Sequence, residues 1–196
     1  TTGSTSAAVA APKSEGTVDM AKLLEAGSLP DKALGKEDAP VTIVEYASMT
    51  CPHCAHFQTE IMPQIKTKYI DTGKAKMIFR EFPLDNLAVA VAMLARCGGE
   101  VKFHAFISTM FKTQVTWAGG DESPLPKIKE IAKQAGFTDE SFDKCLADEQ
   151  LQKNILAIRS RADEKFGISG TPTFFINGIK LKDGFALEDF DKVMKA

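Results

Sequence analysis

The 196-residue chain has no long hydrophobic run, no excess of charge of one sign and only four cysteines. No apolar stretch approaches the roughly 18 residues that a membrane-spanning helix needs, so the sequence predicts none. Lysine and arginine number 24, and aspartate and glutamate number 26, for a formal net charge of −2. This balance gives no electrostatic reason to expect a nucleic-acid partner, and none is predicted.

Two of the cysteines lie in Cys51-Pro52-His53-Cys54, after an apolar, β-branched run at 41–44 and before a helical pattern. Cys51 is therefore placed where a strand gives way to a helix N-terminus. Unpaired backbone N–H groups and the helix dipole favour an anion there, so we expect Cys51 to ionise more readily than a free cysteine. A Cys-x-x-Cys at such a junction is typical of a thioredoxin-type redox motif. The predicted chemistry is thiol–disulfide exchange, with the Cys51–Cys54 pair as the redox centre and no added cofactor.

The order of the predicted elements is β-α-β, a block of helices, then β-β-α. Residues 85–166 show helical spacing and no convincing strand pattern. One α/β sheet built from residues 35–84 and 167–196, with an all-helical domain inserted between its halves, accounts for this order. Asn177-Gly178 predicts a two-residue hairpin turn between the last two strands.

A second candidate element, Gly170-Thr171-Pro172-Thr173, opens the strand that follows the helical block. A proline that starts a strand costs no ladder hydrogen bond, so the segment is compatible with a simple loop end. The other interpretation is a cis bond between Thr171 and Pro172, a costly geometry that is kept where a backbone must present itself in a particular way. The sequence alone does not show the isomer, and we expect the cis bond mainly because of the resemblance described next.

These segments resemble the DsbA-like thiol oxidases of bacterial envelopes, which belong to the thioredoxin superfamily. The matching residues are 45–54 and 170–178, and the resemblance covers about residues 35–196. The Pro52-His53 dipeptide is what the DsbA type carries, whereas thioredoxins typically have Gly-Pro. The resemblance implies a thioredoxin-like α/β fold with an inserted helical domain.

The resemblance also implies roles for individual residues. Cys51 corresponds to the exposed nucleophile and Cys54 to the buried resolving thiol. Thr171 and Pro172 correspond to the substrate-docking turn that faces them.

Three further residues each have two interpretations. The imidazole of His53 could stabilise a thiolate on Cys51 by positive charge or N–H donation, or it could be a solvated turn residue. A DsbA-like relative has an acid at the position of Glu45, beneath the cysteine pair. A desolvated carboxylate there could take the proton of Cys54, and the alternative is an ordinary glutamate at a strand edge. His104 lies on an apolar helix face, and we interpret it as a satisfied core residue rather than a ligand.

Cys97 and Cys145 lie in the helical block, 48 positions apart. The preferred interpretation is a structural disulfide, which loop entropy makes worth about 4 kcal/mol. Two buried free thiols are the alternative. A zinc site built from Cys51, Cys54, His56 and one of these cysteines is not favoured, since the spacing lacks a second paired motif, and no metal is predicted. Some branches of the DsbA family carry such a second pair, which suggests that the chain belongs to one of them.

Four cysteines that can pair favour an oxidising compartment. We therefore expect a protein of the periplasm or cell envelope from which a signal peptide has been removed. Residues 1–34 are predicted to form a flexible tail and a short helix, and a tail that serves only as a tether is the alternative.

The predicted function is a monomeric oxidase that donates the Cys51–Cys54 disulfide to unfolded or reduced secreted proteins, through a mixed disulfide on Cys51. The resemblance implies a DsbB-like membrane quinone reductase as the reoxidising partner. A disulfide isomerase or reductase of the same superfamily is the alternative, although such proteins usually carry a sizeable dimerisation domain ahead of the catalytic domain. From another class comes a redox-inactive binding or chaperone module, which two intact active-site cysteines disfavour.

Overall fold

The structure, a computed structural model, describes residues 14–120, 122–182 and 184–195. Its strands are β1 (Ser14–Thr17), β2 (Lys32–Leu34), β3 (Val41–Ala47), β4 (Ala75–Glu81), β5 (Thr173–Ile176) and β6 (Ile179–Leu181). They form one six-stranded mixed sheet in the order β1-β6-β5-β3-β4-β2. β3 and β4 run parallel, and the other neighbouring pairs run antiparallel. The predicted α/β class is confirmed, and β3, which carries the motif at its C-terminal end, is a central strand.

The helices, in chain order, are α1 (Met20–Leu23), α2 (Pro52–His56), α3 (Met62–Ile65), α4 (Asn86–Cys97), α5 (Phe103–Lys112), α6 (Gln114–Ala118), α7 (Pro124–Gln134), α8 (Asp139–Leu146), α9 (Glu149–Phe166) and α10 (Leu187–Met194). The π-helical turns Phe57–Ile61 and Lys66–Ile70 join and extend α2 and α3. We call the whole of residues 52–70 the active-site helix. Pro63, inside this helix, lacks a backbone N–H, which accounts for part of its irregularity.

The two faces of the sheet bury different sets of helices because side chains alternate along β3. On one face, Ile43 packs with Phe57 and Ile65 of the active-site helix and with Phe190 of α10. On the other face, the apolar residues pack with α1 and with the C-terminal half of α9; they are Leu23, Val44, Tyr46, Ile78, Ile158, Ala162, Phe166 and Phe175. Glu45 points to the same side as Ile43. A carboxyl group therefore lies under the active-site helix.

Two strands lie in the segment that was predicted to be a tail and a short helix, residues 1–34. β1 pairs with β6, and β2 pairs with β4, so residues 14–17 and 32–34 form the two edges of the sheet. Residues 14–17 and 32–34 are therefore not a flexible tail, and strands of three and four residues show too little alternation to be recognised in the sequence. The predicted short helix is present as α1. Residues 1–13 of the predicted tail lie outside the described residues.

The hairpin turn at Asn177-Gly178 is confirmed, since Ile176 pairs directly with Ile179. Both turn residues have positive φ, 47° and 85°. The backbone N–H of Val18 donates to the carbonyl of Gly178 over 2.8 Å. A Cβ atom on Gly178 would lie 2.5 Å from the carbonyl oxygen of Val18. Glycine is thus required there by its φ and by the close approach of the chain that follows β1.

The helical block is closed by a disulfide between Cys97 and Cys145, which ties the end of α4 to α8. The predicted pairing is confirmed, and the alternative of two free thiols is wrong. Within this block, Trp117 of α6 is buried and donates from Nε1 to the carbonyl of Met110 over 3.0 Å. Within the described residues, no helix is both long and apolar enough to span a bilayer.

Candidate active site

Cys51 is the N-cap residue of α2, where the backbone is extended with φ −78° and ψ 120°. Its carbonyl accepts from the backbone N–H of Ala55 over 3.1 Å, which begins the helix. Pro52 occupies the first helical turn, where a missing N–H costs nothing. The thiol therefore lies at the positive end of the active-site helix, as the motif predicts.

Several donors converge on the sulfur of Cys51 and lower the pKa of this thiol to about 5. The side chain of Cys54 contributes most, and Thr171 and the backbone N–H groups of Cys54 and His53 add to it, while burial opposes them. As a thiol, Cys51 Sγ donates to the carbonyl of Thr171 over 3.6 Å. The buried hydroxyl of Thr171 has no other hydrogen-bond partner, so it can donate to the sulfur once the sulfur is a thiolate. The site thus stabilises a negative charge on Cys51 at neutral pH.

Cys54 lies one turn further into the helix and is fully buried. Burial, the hydrogen bond with Cys51 and the proximity of Glu45 raise the pKa of this thiol far above its usual range. Cys51 is 6% exposed, so it is the more accessible of the two cysteines. It is not the exposed side chain that the resemblance implied. Its sulfur contacts the carbonyl of Thr171, and the residue belongs to the same buried cluster as apolar residues of the helical block. Any molecule that reacts with this sulfur must reach it through a small exposed surface.

His53 contributes to the site through its backbone. Its backbone N–H, rather than its ring, is what lowers the pKa of Cys51. The exposed imidazole packs edge-on against Phe185, with ring centroids 6.4 Å apart. A role of the ring charge in stabilising the thiolate remains a prediction.

Glu45 lies in the middle of β3, opposite Phe79 of β4 and Phe174 of β5, and is 1% exposed. It is not an ordinary glutamate at a strand edge. Burial, together with the nearby Cys51 thiolate, raises the pKa of this carboxyl to about 8. A negative charge on Glu45 and a negative charge on Cys54 also repel each other. A carboxyl that titrates near neutrality beside the resolving thiol is suited to exchange a proton with it.

The turn at Thr171-Pro172 has the predicted cis peptide bond. Beside it lies a groove of about 380 Å³, lined among others by His53, Pro172, Lys182 and Phe185. The groove begins where Thr171 contacts Cys51, so an extended segment lying in it would pass the reactive sulfur. Docking of a substrate there remains a prediction.

Gln114, the first residue of α6, is a site residue that the sequence did not reveal. Its side chain is 6% exposed, and its Nε2 donates to the carbonyls of Met49 over 2.9 Å and Cys51 over 3.1 Å. The helical block thereby fixes the loop that carries the nucleophile. No local signal marks this glutamine, because its partners lie 63 and 65 residues earlier in the chain.

The remaining alternative for the cysteines is a metal site. Cys97 and Cys145 are bonded to each other, so neither can complete the zinc site considered above. In residues 14–120, 122–182 and 184–195, no three histidine, cysteine or acidic side chains are grouped as metal ligands would be.

Comparison with known proteins agrees with this geometry. A family model described as Thioredoxin matches residues 28–196. The crystal structure of Wolbachia pipientis alpha-DsbA1 aligns with a TM-score of 0.80 and 35% sequence identity, covering 89% of this chain and 93% of that one. The chain belongs to the DsbA-like family of the thioredoxin superfamily. The thioredoxin-like fold and the DsbA-like resemblance predicted from the sequence are confirmed.

Two other relatives of this DsbA-like chain bear on its function. A protein of Rickettsia bellii, provisionally named a protein-disulfide oxidoreductase, is 34% identical over 154 residues, which is 78% of this chain and 59% of that protein. The chain thus spans about three fifths of the length of that relative. The crystal structure of a protein-disulfide isomerase from Novosphingobium aromaticivorans aligns with a TM-score of 0.72 and 27% identity, covering 83% of this chain and 95% of that one.

Proposed function

We propose that the chain is a thiol:disulfide oxidase that donates the Cys51–Cys54 disulfide to reduced proteins. The observation that carries this proposal is the opposite shift of the two thiol pKa values, with Cys51 lowered to about 5 and Cys54 raised. A stabilised thiolate stabilises the reduced protein, and a disulfide whose reduced form is stable is a strong oxidant.

The exchange proceeds in two displacements. A client thiolate attacks Sγ of Cys51, the Cys51–Cys54 bond breaks, and Cys54 leaves with the electron pair and takes up a proton. A second client thiolate then attacks the client sulfur of the mixed disulfide, and Cys51 leaves as a thiolate. The client loses two electrons and gains a disulfide, and the protein is reduced to a Cys51 thiolate and a Cys54 thiol. A low pKa makes Cys51 a good leaving group in the second step.

We further propose that the protein acts as a monomer in the periplasm or cell envelope on newly secreted proteins. The disulfide between Cys97 and Cys145 supports an oxidising compartment. A DsbB-like quinone reductase of the membrane is the proposed reoxidant, because each turnover leaves the cysteine pair reduced and a disulfide oxidant must restore it.

Isomerase activity is the second candidate function, favoured by the similarity to the protein-disulfide isomerase of Novosphingobium aromaticivorans. Two assays separate the candidates. The oxidised protein is mixed in stoichiometric amounts with reduced, unfolded ribonuclease, and separately the reduced protein is mixed with ribonuclease that carries scrambled disulfides.

An oxidase should remove the free thiols of reduced ribonuclease within minutes and should recover little activity from the scrambled form. Cys51→Ser should abolish the first reaction, whereas Cys54→Ala should trap clients as mixed disulfides once Cys51 is activated with a disulfide reagent. If ribonuclease activity returns from the scrambled form faster than the free thiols of reduced ribonuclease disappear, the oxidase assignment is contradicted and the isomerase is favoured.

A further inference from the structure

A cavity of about 440 Å³ lies between the active-site helix and α5, over strands β3 and β4. Glu45 lines it on the side of the sheet, Lys66 on the side of the active-site helix, and His104 and Ser108 on the side of α5. Val101, which also lines the cavity, is 98% exposed. The cavity therefore connects a fully buried carboxyl group with the solvent.

Two unpartnered polar atoms belong to residues that line this cavity. In the part of the chain that the structure describes, three buried side-chain nitrogen or oxygen atoms lack a hydrogen-bond partner: Glu45 Oε2, His104 Nε2 and Thr171 Oγ1. The first two belong to residues that line the same cavity, and the third lies beside Cys51. Buried polar atoms are normally satisfied by protein or by ordered water. A water occupies about 30 Å³ of the liquid, so the cavity has room for a chain of waters.

His104 is held as a hydrogen-bond acceptor. Nδ1 of His104 makes the hydrogen bond with the backbone of Ala33, because Nε2 has no hydrogen-bond partner. This hydrogen bond favours the protonated imidazole. Burial is the main cause that lowers the pKa of this imidazole, and Lys32 lowers it further. The ring is therefore neutral near pH 7 and has an available lone pair on Nε2. The interpretation of His104 as a satisfied core residue is wrong.

The proposed exchange needs a route for protons that does not cross the client groove. During client oxidation, Cys54 takes a proton, and Glu45 is the group beside it that can supply one. Glu45 must then regain a proton while a client covers the small exposed surface of Cys51. A client docked as predicted would fill the groove at Thr171-Pro172, whereas the cavity at α5 has different lining residues and would stay open.

We propose that this cavity is the proton path between Glu45 and solvent and that His104 is a relay residue in its wall. The proposal rests on the oxidase function proposed above. When Cys54 leaves Cys51, the Glu45 carboxyl gives Cys54 its proton and is reprotonated through the water chain. His104 Nε2 accepts a proton from the outer waters and releases the same proton to the inner waters, so that the ring ends neutral. During reoxidation the sulfur of Cys54 attacks the mixed disulfide on Cys51, its proton goes to Glu45, and the same path carries it out.

Other charged groups face this path and set its pH dependence. Cys51 and Cys54 face Glu45 from the active-site helix. Lys66 of that helix and Lys112 of α5 line the cavity, and Lys32 of β2 faces His104. Lys66 is also paired with Asp71 over 2.9 Å. The lysines stay protonated near pH 7, so they do not replace a donor that can lose and regain a proton there.

The test follows the step in which Cys54 resolves a mixed disulfide. Reduced protein is mixed with oxidised glutathione, and release of glutathione from Cys51 is followed by rapid quench between pH 5.5 and 8. His104→Ala removes the relay, and Ser108→Leu fills the cavity. Each should slow resolution by about tenfold at pH 7, below the 10²- to 10⁴-fold typical of losing a direct acid–base group. Imidazole should restore the rate of His104→Ala, and sodium chloride at equal ionic strength should not.

Two controls keep a structural effect apart from a proton effect. Thr109→Leu adds the same side chain at the next, exposed position of α5 and should leave resolution unchanged. The first step is the attack of the Cys51 thiolate on the disulfide of oxidised glutathione. Its rate is measured in a Cys54→Ala background and should be unchanged in every variant. A resolution rate of Ser108→Leu within twofold of the wild type would overturn the path, and absence of imidazole rescue in His104→Ala would overturn the relay. Failure of the oxidase function would instead appear in the ribonuclease assays, with these rates still interpretable.

Discussion

Glu45→Gln should make the reduced protein more stable and less active at once. The carboxyl has a folded pKa of about 8 against about 4.3 in an unfolded chain, so removing its charge should raise the free energy of unfolding by about 3 to 4 kcal/mol at pH 7. A folded pKa above the unfolded value means that the wild type loses stability as pH rises from about 4 to 8. The advantage of the variant should therefore be near zero at pH 4 and reach a plateau above pH 8. Urea unfolding across this range measures it.

The same substitution should slow the resolution step by about 100-fold, because an amide cannot exchange a proton with Cys54. Glu164→Gln, at an exposed position of α9, is the matched control and should change stability by less than about 0.5 kcal/mol. A Glu45→Gln protein that is less stable than the wild type at pH 8 would show that Glu45 is ionised and well partnered in the fold.

The stability order of the oxidised and reduced forms should invert with pH. The pKa of Cys51 is about 5 in the folded protein and about 8.5 in the unfolded chain. This difference raises the free energy of unfolding of the reduced form by about 3 kcal/mol at pH 7. The Cys51–Cys54 disulfide closes a four-residue loop and should stabilise the oxidised form by about 2 kcal/mol at any pH. Since the folded pKa is depressed, the thiolate contribution is lost as pH falls through about 5. The reduced form should be the more stable at pH 7, and the oxidised form at pH 4.

Urea midpoints of the two forms, measured in parallel, should cross near pH 6. The burial of Glu45 acts on both forms, so the difference between their midpoints reports mainly on the thiol pair. A Cys51→Ser protein has no thiolate at this position, so its stability relative to that of the oxidised wild type should not rise between pH 5 and 7. An oxidised form that stays the more stable at pH 7 would place the pKa of Cys51 well above the value that the geometry gives.

The sequence was sufficient for the features that local patterns encode. Cys51 and Cys54 are placed by a strand–turn–helix pattern and by their spacing of three, and Asn177-Gly178 needs positive φ at two consecutive residues. The cis bond at Thr171-Pro172 followed from a resemblance rather than from physics. The pairing of Cys97 with Cys145 had few alternatives in a chain with four cysteines.

The features that the sequence did not reveal depend on contacts distant in the chain. β1 and β2 exist because β6 and β4 offer free edges, and segments of three or four residues carry no periodicity of their own. Gln114 contacts the active-site loop only after the helical block has folded against it. His104 has the spacing of a core residue, and the open cavity at its Nε2 arises from the packing of α5 beside the irregular active-site helix.

The equilibrium reduction potential of the Cys51–Cys54 pair tests the central claim most directly, because it measures how far the site stabilises the reduced form. The protein is equilibrated in glutathione buffers at pH 7, and the fraction reduced is read after acid quench and alkylation. The account predicts a potential above about −160 mV, towards the value of about −120 mV of strongly oxidising DsbA proteins. A potential near the −270 mV or so of thioredoxin would contradict it, since such a pair would reduce client disulfides instead of donating its own.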